Sequence, residues 1–272
     1  MHDLLFITNP ANDAREEDSF LANCLSHDWN LTMVDPEKAL TLMPKVNRCI
    51  IRNAWPSREF EAPFSKIEQL ANAGLIQTYN PMAKRVRGFA ENKRYLCTLF
   101  QEGFHVIPTW LQPTEMRHAG YPDTTSIIQK PLNGCSSWGL VETTLGKSIA
   151  GDSVIQPKLA FQDEISFFFI DNNFAYALVS AGPGIANRWN LTEFTCSAEQ
   201  LAWATKFVKW NDLPFGIQRI DAGRDSDGKL WLMEVEDTMP YLSLPEISKD
   251  TRNRVSETLR QSIKANLGSL RY

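Results

Sequence analysis

The sequence predicts an α/β (α+β) protein: a small N-terminal parallel α/β lobe followed by two lobes built on antiparallel sheets. Three observations carry this. Strand-like and helix-like runs alternate from residue 3 to about 80, paired strands joined by turn residues take over after about residue 125, and the proline-containing segment Pro108 to Pro122 suits a connection between the two textures.

In the first part, Leu4-Leu5-Phe6-Ile7 reads as a strand, Ala14 to Ser26 as a helix, and Leu31-Thr32-Met33-Val34 and Cys49-Ile50-Ile51 as further strands. A helix over about Glu59 to Ala73 leads into Leu75 to Tyr79, and strand-helix alternation of this kind gives a parallel sheet. Glu91-Asn92-Lys93-Arg94-Tyr95-Leu96 begins a helix that ends at Gly103. Ile127 to Pro131 closes a short strand ahead of the small-residue run Leu132-Asn133-Gly134-Cys135-Ser136-Ser137-Trp138-Gly139. Ile165 to Ile170 turns at Asp171-Asn172-Asn173 and returns as Phe174 to Val179, a hairpin. Ser197 to Trp210 is a helix entered through a capping box of Ser197 and Gln200. A second hairpin joins Ile217 to Asp221 with Leu230 to Glu236 across the turn-rich Arg224 to Lys229, and a last helix over about Lys249 to Leu267 stops at Gly268.

With 272 residues, 43% hydrophobic and 22% charged, the composition is that of a soluble globular protein, and a net charge of −4 spread over mixed-sign segments argues against nucleic acid. No apolar stretch reaches about 18 residues and no charged n-region precedes the first strand, so the expected setting is cytoplasmic, without a membrane partner. Five scattered cysteines and four scattered histidines fit reduced thiols better than disulfides, a zinc site or a Ser-His-Asp set. Composition leaves a homo-oligomer open.

Strand alternation places Glu234 and Glu236 on one face with Leu232, and Trp231, Met233 and Val235 on the other. If the turn is centred on Ser226 and Asp227, Arg219 lies opposite Glu234 and Asp221 opposite Leu232, which adds both to the acidic face. Three neighbouring carboxylates repel unless a cation shares them, and Mg²⁺ accepts a few carboxylate oxygens while waters and phosphates complete its shell. The competing reading is a wet strand face with a surface salt bridge. Upstream, Lys130 at a strand end before a Gly-Ser loop, and Lys93 at a helix start, are phosphate-ligand candidates, although an exposed lysine and an ordinary loop explain each piece alone. The run is neither a Walker loop nor a dinucleotide fingerprint.

Taken in order, these pieces resemble the ATP-grasp superfamily over roughly residues 75 to 245. Asn92-Lys93 with Leu96 and Ile128-Gln129-Lys130-Pro131-Leu132 look like the two nucleotide-binding lysines of glutathione synthetase and its relatives. Val154-Ile155-Gln156-Pro157-Lys158-Leu159 is similar to their adenine-holding linker, Asp163-Glu164-Ile165-Ser166 and its hairpin to the next strand pair, and Gly216 to Asp221 with Leu232 to Glu236 and Pro240 to the metal-binding strands. The Glu-x-Glu ending and Arg52-Asn53-Ala54-Trp55 bring the chain nearest to the cycloserine-forming ligase group. Glu236 stands where relatives commonly carry asparagine, and Ser180 where a basic residue is frequent; Arg188 is the nearby substitute for that charge.

The resemblance implies an ATP-grasp fold that clasps ATP, with an N-terminal lobe over 1–85, a central lid lobe over 86–155 and a metal-binding lobe over 156–272. It assigns ATP to Lys93, Lys130, Gln156, Lys158 and Leu159, with the carbonyl of Lys158 and amide of Leu159 reading the adenine edge because Pro157 lacks an N–H. Asp221, Glu234 and Glu236 would hold Mg²⁺, or Mn²⁺ in its place, Arg219 would be catalytic, and Arg52 and Arg188 would meet substrate. The implied activity is a carboxylate-amine ligase acting on a small amino-acid-like or peptide substrate through an acylphosphate. A small-molecule kinase and a catalytically silent ATP-binding regulator are the alternatives.

Overall fold

The protein is described from a computed structural model, which covers residues 1–9, 15–53, 61–81, 92–133, 137, 139–181 and 190–268. The chain opens with the expected alternation: β1 (His2–Ile7), α1 (Arg15–Leu25), β2 (Trp29–Val34), α2 (Pro36–Leu42), β3 (Arg48–Ile51), α3 (Glu61–Asn72) and β4 (Gln77–Tyr79). These strands form a parallel sheet in the order β2-β1-β3-β4. Its strands read as apolar runs because helices cover both faces. Leu4 to Ile7 and Cys49 to Ile51 are accordingly at most 3% exposed. Asp35 caps α2 by accepting from Lys38 N at 2.8 Å, and Pro36 follows where its missing N–H costs nothing.

Next come two short helices, α4 (Tyr95–Gln101) and α5 (Pro113–His118). The first begins four residues later than the sequence predicts. Lys93 lies in the turn before it, where its amide donates to Leu132 O at 2.8 Å instead of entering a helix. A three-stranded antiparallel sheet follows, ordered β6-β5-β7 from β5 (Ser126–Pro131), β6 (Val141–Thr144) and β7 (Ser153–Pro157).

The last sheet has five antiparallel strands in the order β10-β9-β8-β11-β12. They are β8 (Asp163–Ile170), β9 (Asn173–Ala181), β10 (Thr192–Glu193), β11 (Ile217–Arg224) and β12 (Leu230–Glu236). Asp171 and Asn172 both have positive φ (49° and 64°), the conformation a two-residue hairpin demands and one that short polar side chains tolerate. Between the hairpins α6 (Ala198–Asn211) carries the expected Ser197/Gln200 capping box. Ile165, Phe167, Ile220, Leu232 and Val235 pack under α6 with Phe207 and Val208. The C-terminal helix α7 (Lys249–Leu267) returns to the first lobe, where its Val255, Leu259 and Ile263 share a core with Leu4, Phe6, Ile50 and Phe168.

One expectation about β12 is overturned. Near the turn Arg224 faces Leu230 and Ala222 faces Leu232, but Asp221 faces Glu234 and Arg219 faces Glu236. Met233 is therefore an extra residue, a β-bulge, and neither Arg219–Glu234 nor Asp221–Leu232 is a pair. The cause is the apolar pattern. Leu230, Leu232 and Val235 must all be buried, and their spacing of two and then three residues forces the strand to change phase between them. Leu232 consequently joins the core, not the acidic face, while Met233 turns out of it.

Among the described residues no helix is long and apolar enough to cross a membrane.

Candidate active site

A cavity of about 600 Å³ lies between the three-stranded and five-stranded sheets, and most residues singled out from the sequence line it. On its floor, β11 contributes Arg219 and Asp221, β12 contributes Met233, Glu234 and Glu236, and β8 contributes Glu164, Ser166 and Phe168. The bulge leaves the acids on the same face as Arg219 and Asp221, so the expected grouping survives the change of register.

Oxygens of Asp221, Glu234 and Glu236 all lie within 4.8 Å of one another. Each acid already has a cation. Arg219 donates from Nε and Nη2 to Asp221 at 2.9 Å each and from Nη2 to Glu236 at 2.7 Å, while Lys93 Nζ reaches Glu234 Oε1 at 2.8 Å. Burial by itself would push the Arg219 guanidinium down; Asp221 and Glu236 outweigh it and hold the group above its ordinary value, firmly protonated. Ser166 adds a hydroxyl on Asp221 Oδ1 at 2.7 Å. Two cations thus face three carboxylates. An all-oxygen donor set that opens onto a cavity fits a hard divalent ion whose remaining positions go to water or phosphate.

The opposite wall belongs to the three-stranded sheet and its continuation. Lys130, Ile128 and Pro131 come from β5, and Gln156, Pro157, Lys158, Leu159 and Phe161 from β7 and beyond. Gln156 is buried and donates to Thr109 Oγ1 at 2.9 Å, so its side chain braces the wall. Lys158 gives its amide to Ser126 O at 2.9 Å and its ammonium to Glu142. Among the described residues, the Lys158 carbonyl and the Leu159 amide make no hydrogen bond, and they are the pair the resemblance assigns to an adenine edge. Ser137 also lines the cavity; residues 134–136 and 138 of that loop lie outside the described residues.

One assignment falls elsewhere. Arg52 is not on the cavity wall: it is 1% exposed and donates to Glu17 Oε1 at 2.9 Å and Pro240 O at 2.7 Å, tying β3 to α1 and to the segment after β12. A buried guanidinium requires such partners, and α1 supplies one. Arg188 and Trp55 lie outside the described residues.

Several cavity residues were not singled out from the sequence. Phe161 lies over Gly223, where an added Cβ would stand 2.5 Å from the ring, so only glycine admits this packing. Tyr241 accepts from Arg219 Nη1 through its carbonyl at 3.1 Å and presents its side chain to the cavity. Burial and nearby acids, Glu17 first, push its phenol up to about 12. Ser166 was legible in principle, since regular alternation from Phe168 puts it on the cavity face.

No family profile and no curated protein sequence matches the chain. Solved structures do. A D-cycloserine synthetase, DcsG, superposes with a TM-score of 0.74 at 20% identity, covering 95% of this chain and 98% of that one. The D-alanine–D-alanine ligase from Bacillus anthracis gives 0.67 at 15% identity over 98% of each chain. A RiPP-associated ATP-grasp ligase from Chryseobacterium gregarium, solved with ADP and a leader and core peptide, gives 0.68 at 10% identity over 98% and 97%. Near-complete mutual coverage by three such structures means that the likeness extends over the whole architecture, and the chain therefore has the ATP-grasp fold.

Proposed function

We propose that this protein is an ATP-dependent ligase that activates a carboxylate as an acylphosphate and joins it to an amine or similar nucleophile, releasing ADP and phosphate. The observation that carries this reading is the convergence of Asp221, Glu234, Glu236, Arg219, Lys93 and Lys130 on one cavity whose far wall offers the unused Lys158 carbonyl and Leu159 amide. Solved structures sharing the fold are of ligases and include complexes with ATP and with Mg and ADP, which supports the same nucleotide and metal here.

Adenine would rest against the linker, and Lys93 and Lys130 would hold phosphates. Asp221, Glu234 and Glu236 would hold Mg²⁺, which when bound supplies charge neutralisation to the phosphates. A substrate carboxylate oxygen would attack the γ-phosphorus as ADP leaves. The nucleophile then adds to the acyl carbon, loses its proton, and phosphate departs. Arg219, kept protonated and already oriented by Asp221, Glu236 and the Tyr241 carbonyl, would steady the negative charge that develops on the transferring group or tetrahedral oxygen. Most of the work is positioning and electrostatics.

The test is a screen of amino acids and small peptides with Mg²⁺-ATP, following ADP and free phosphate together. A ligase releases both in step with an amide product. Phosphorylated acceptor without free phosphate would make it a kinase, and nucleotide binding without turnover across the screen would make it a silent binder; either result rejects the proposal.

A further inference from the structure

The lysine assigned to phosphate and the acids assigned to metal lie on elements with no chain continuity, yet they must keep a fixed relation. Lys93 Nζ and Glu234 Oε1 are 2.8 Å apart. Two residues after Lys93, on the first turn of α4, the Tyr95 hydroxyl accepts from Val235 N at 2.7 Å and lies 3.5 Å from the carbonyl of the same residue. Val235 sits between Glu234 and Glu236. β12 is the edge strand of its sheet, and the bulge at Met233 interrupts its ladder with β11 just before the acids. On that outer edge the segment before α5 meets Leu232, with Ile107 N donating to Leu232 O at 3.4 Å and Leu232 N to His105 O at 3.5 Å, and beyond the acids Asn80 Nδ2 donates to Asp237 O at 2.7 Å. Between these two ties, at the acids themselves, Tyr95 supplies the outer partner of the strand.

We propose that Tyr95 is a positioning residue that fixes the acid-bearing end of β12 against the Lys93 turn, so that the geometry of the metal-binding carboxylates depends on a hydrogen bond from outside the sheet. The inference rests on the nucleotide and Mg²⁺ reading of the cavity. Tyr95 never touches substrate; it acts through Val235. Its ring is buried beside Trp210, with centroids 6.0 Å apart, so phenylalanine keeps the packing and removes only the hydroxyl. Burial first, and then the charge of Glu234, push the phenol well above its ordinary value, so it stays a neutral acceptor for the amide.

The experiment titrates Mg²⁺ into the full-length protein at fixed AMP-PNP and follows nucleotide binding by calorimetry. Tyr95→Phe is compared with wild type and with Leu99→Val, a core change on the same helix that serves as a control for general destabilisation. Tyr95→Phe should raise the half-saturating Mg²⁺ about ten-fold, the scale of leaving one buried N–H unmatched, while Leu99→Val leaves it in place at a comparable loss of thermal stability. A wild-type Mg²⁺ curve in Tyr95→Phe overturns the inference, as does an equal shift in Leu99→Val. A wild type that binds no AMP-PNP at any Mg²⁺ concentration refutes the nucleotide reading and this inference with it; binding in wild type without a difference in Tyr95→Phe refutes the inference alone.

Discussion

Substituting Gly223 by alanine tests whether the aromatic wall of the cavity is a nucleotide contact. The new Cβ would stand 2.5 Å from Cδ2 and Cγ of Phe161 and 2.6 Å from Cε2. Carbon atoms settle about 3.5–4.0 Å apart, so the ring must withdraw by about 1 Å or more. Phe161 is only partly buried and can move, which places the stability loss at the low end of the overpacking range, about 1 kcal/mol, or about 2–4 °C in melting temperature. Movement away from Gly223 carries the ring into the cavity it lines. The Kd for AMP-PNP with Mg²⁺ should therefore rise about ten-fold, or about 1.4 kcal/mol. Calorimetry and a thermal melt read the two effects separately. Phe161→Leu in the Gly223→Ala background should recover part of the affinity, because a smaller side chain relieves the clash. A melting temperature that falls with unchanged Kd, in both single and double variants, would refute the assignment of Phe161 to the nucleotide wall.

Glu234→Gln should abolish ATP turnover with the fold and melting temperature retained; a fully active variant sinks the metal assignment. Lys93→Met should weaken AMP-PNP binding by about ten-fold or more while stability stays within about 1 kcal/mol, because Glu234 is 26% exposed and can hydrate once its partner is gone; calorimetry and urea unfolding check the two halves, and undiminished affinity contradicts the phosphate role. His105 is held below its ordinary 6.5, first by burial, and its Nδ1 faces the Leu230 carbonyl at 2.5 Å. The native state then keeps it neutral while the unfolded chain binds a proton, so unfolding free energy should fall as pH drops through 6.5 and recover above it. His105→Phe, measured by urea unfolding between about pH 7.5 and pH 5.5, should lose that part of the slope; an identical slope in both proteins removes His105 as its source.

Local signals in the sequence carried the architecture, because parallel alternation, hairpin turns and the Ser197 capping box are all written within a few residues of where they act. The phase of β12 was also written locally, although period-two alternation misreads it. Leu230, Leu232 and Val235 are spaced two and then three apart, and that change of spacing is the mark of a strand that must switch faces. A regular strand would have sent Glu234 and Glu236 into the core beside the leucines. What no local pattern could supply is the partnering of side chains far apart in the chain. Tyr95 meets Val235 across 140 positions, and Arg52 meets Pro240 across 188. The resemblance assigned Arg52 to substrate, but an arginine near a strand end is equally suited to meeting a ligand or to joining two elements. The difference lies in whether a buried acid elsewhere already claims the guanidinium. Glu17 does so from α1 while also accepting the amides of Leu242 at 3.1 Å and Leu244 at 3.2 Å. Burial raises its carboxyl above the ordinary value even with Arg52 alongside, so each charge depends on the other, and neither is available to a ligand without exposing its partner.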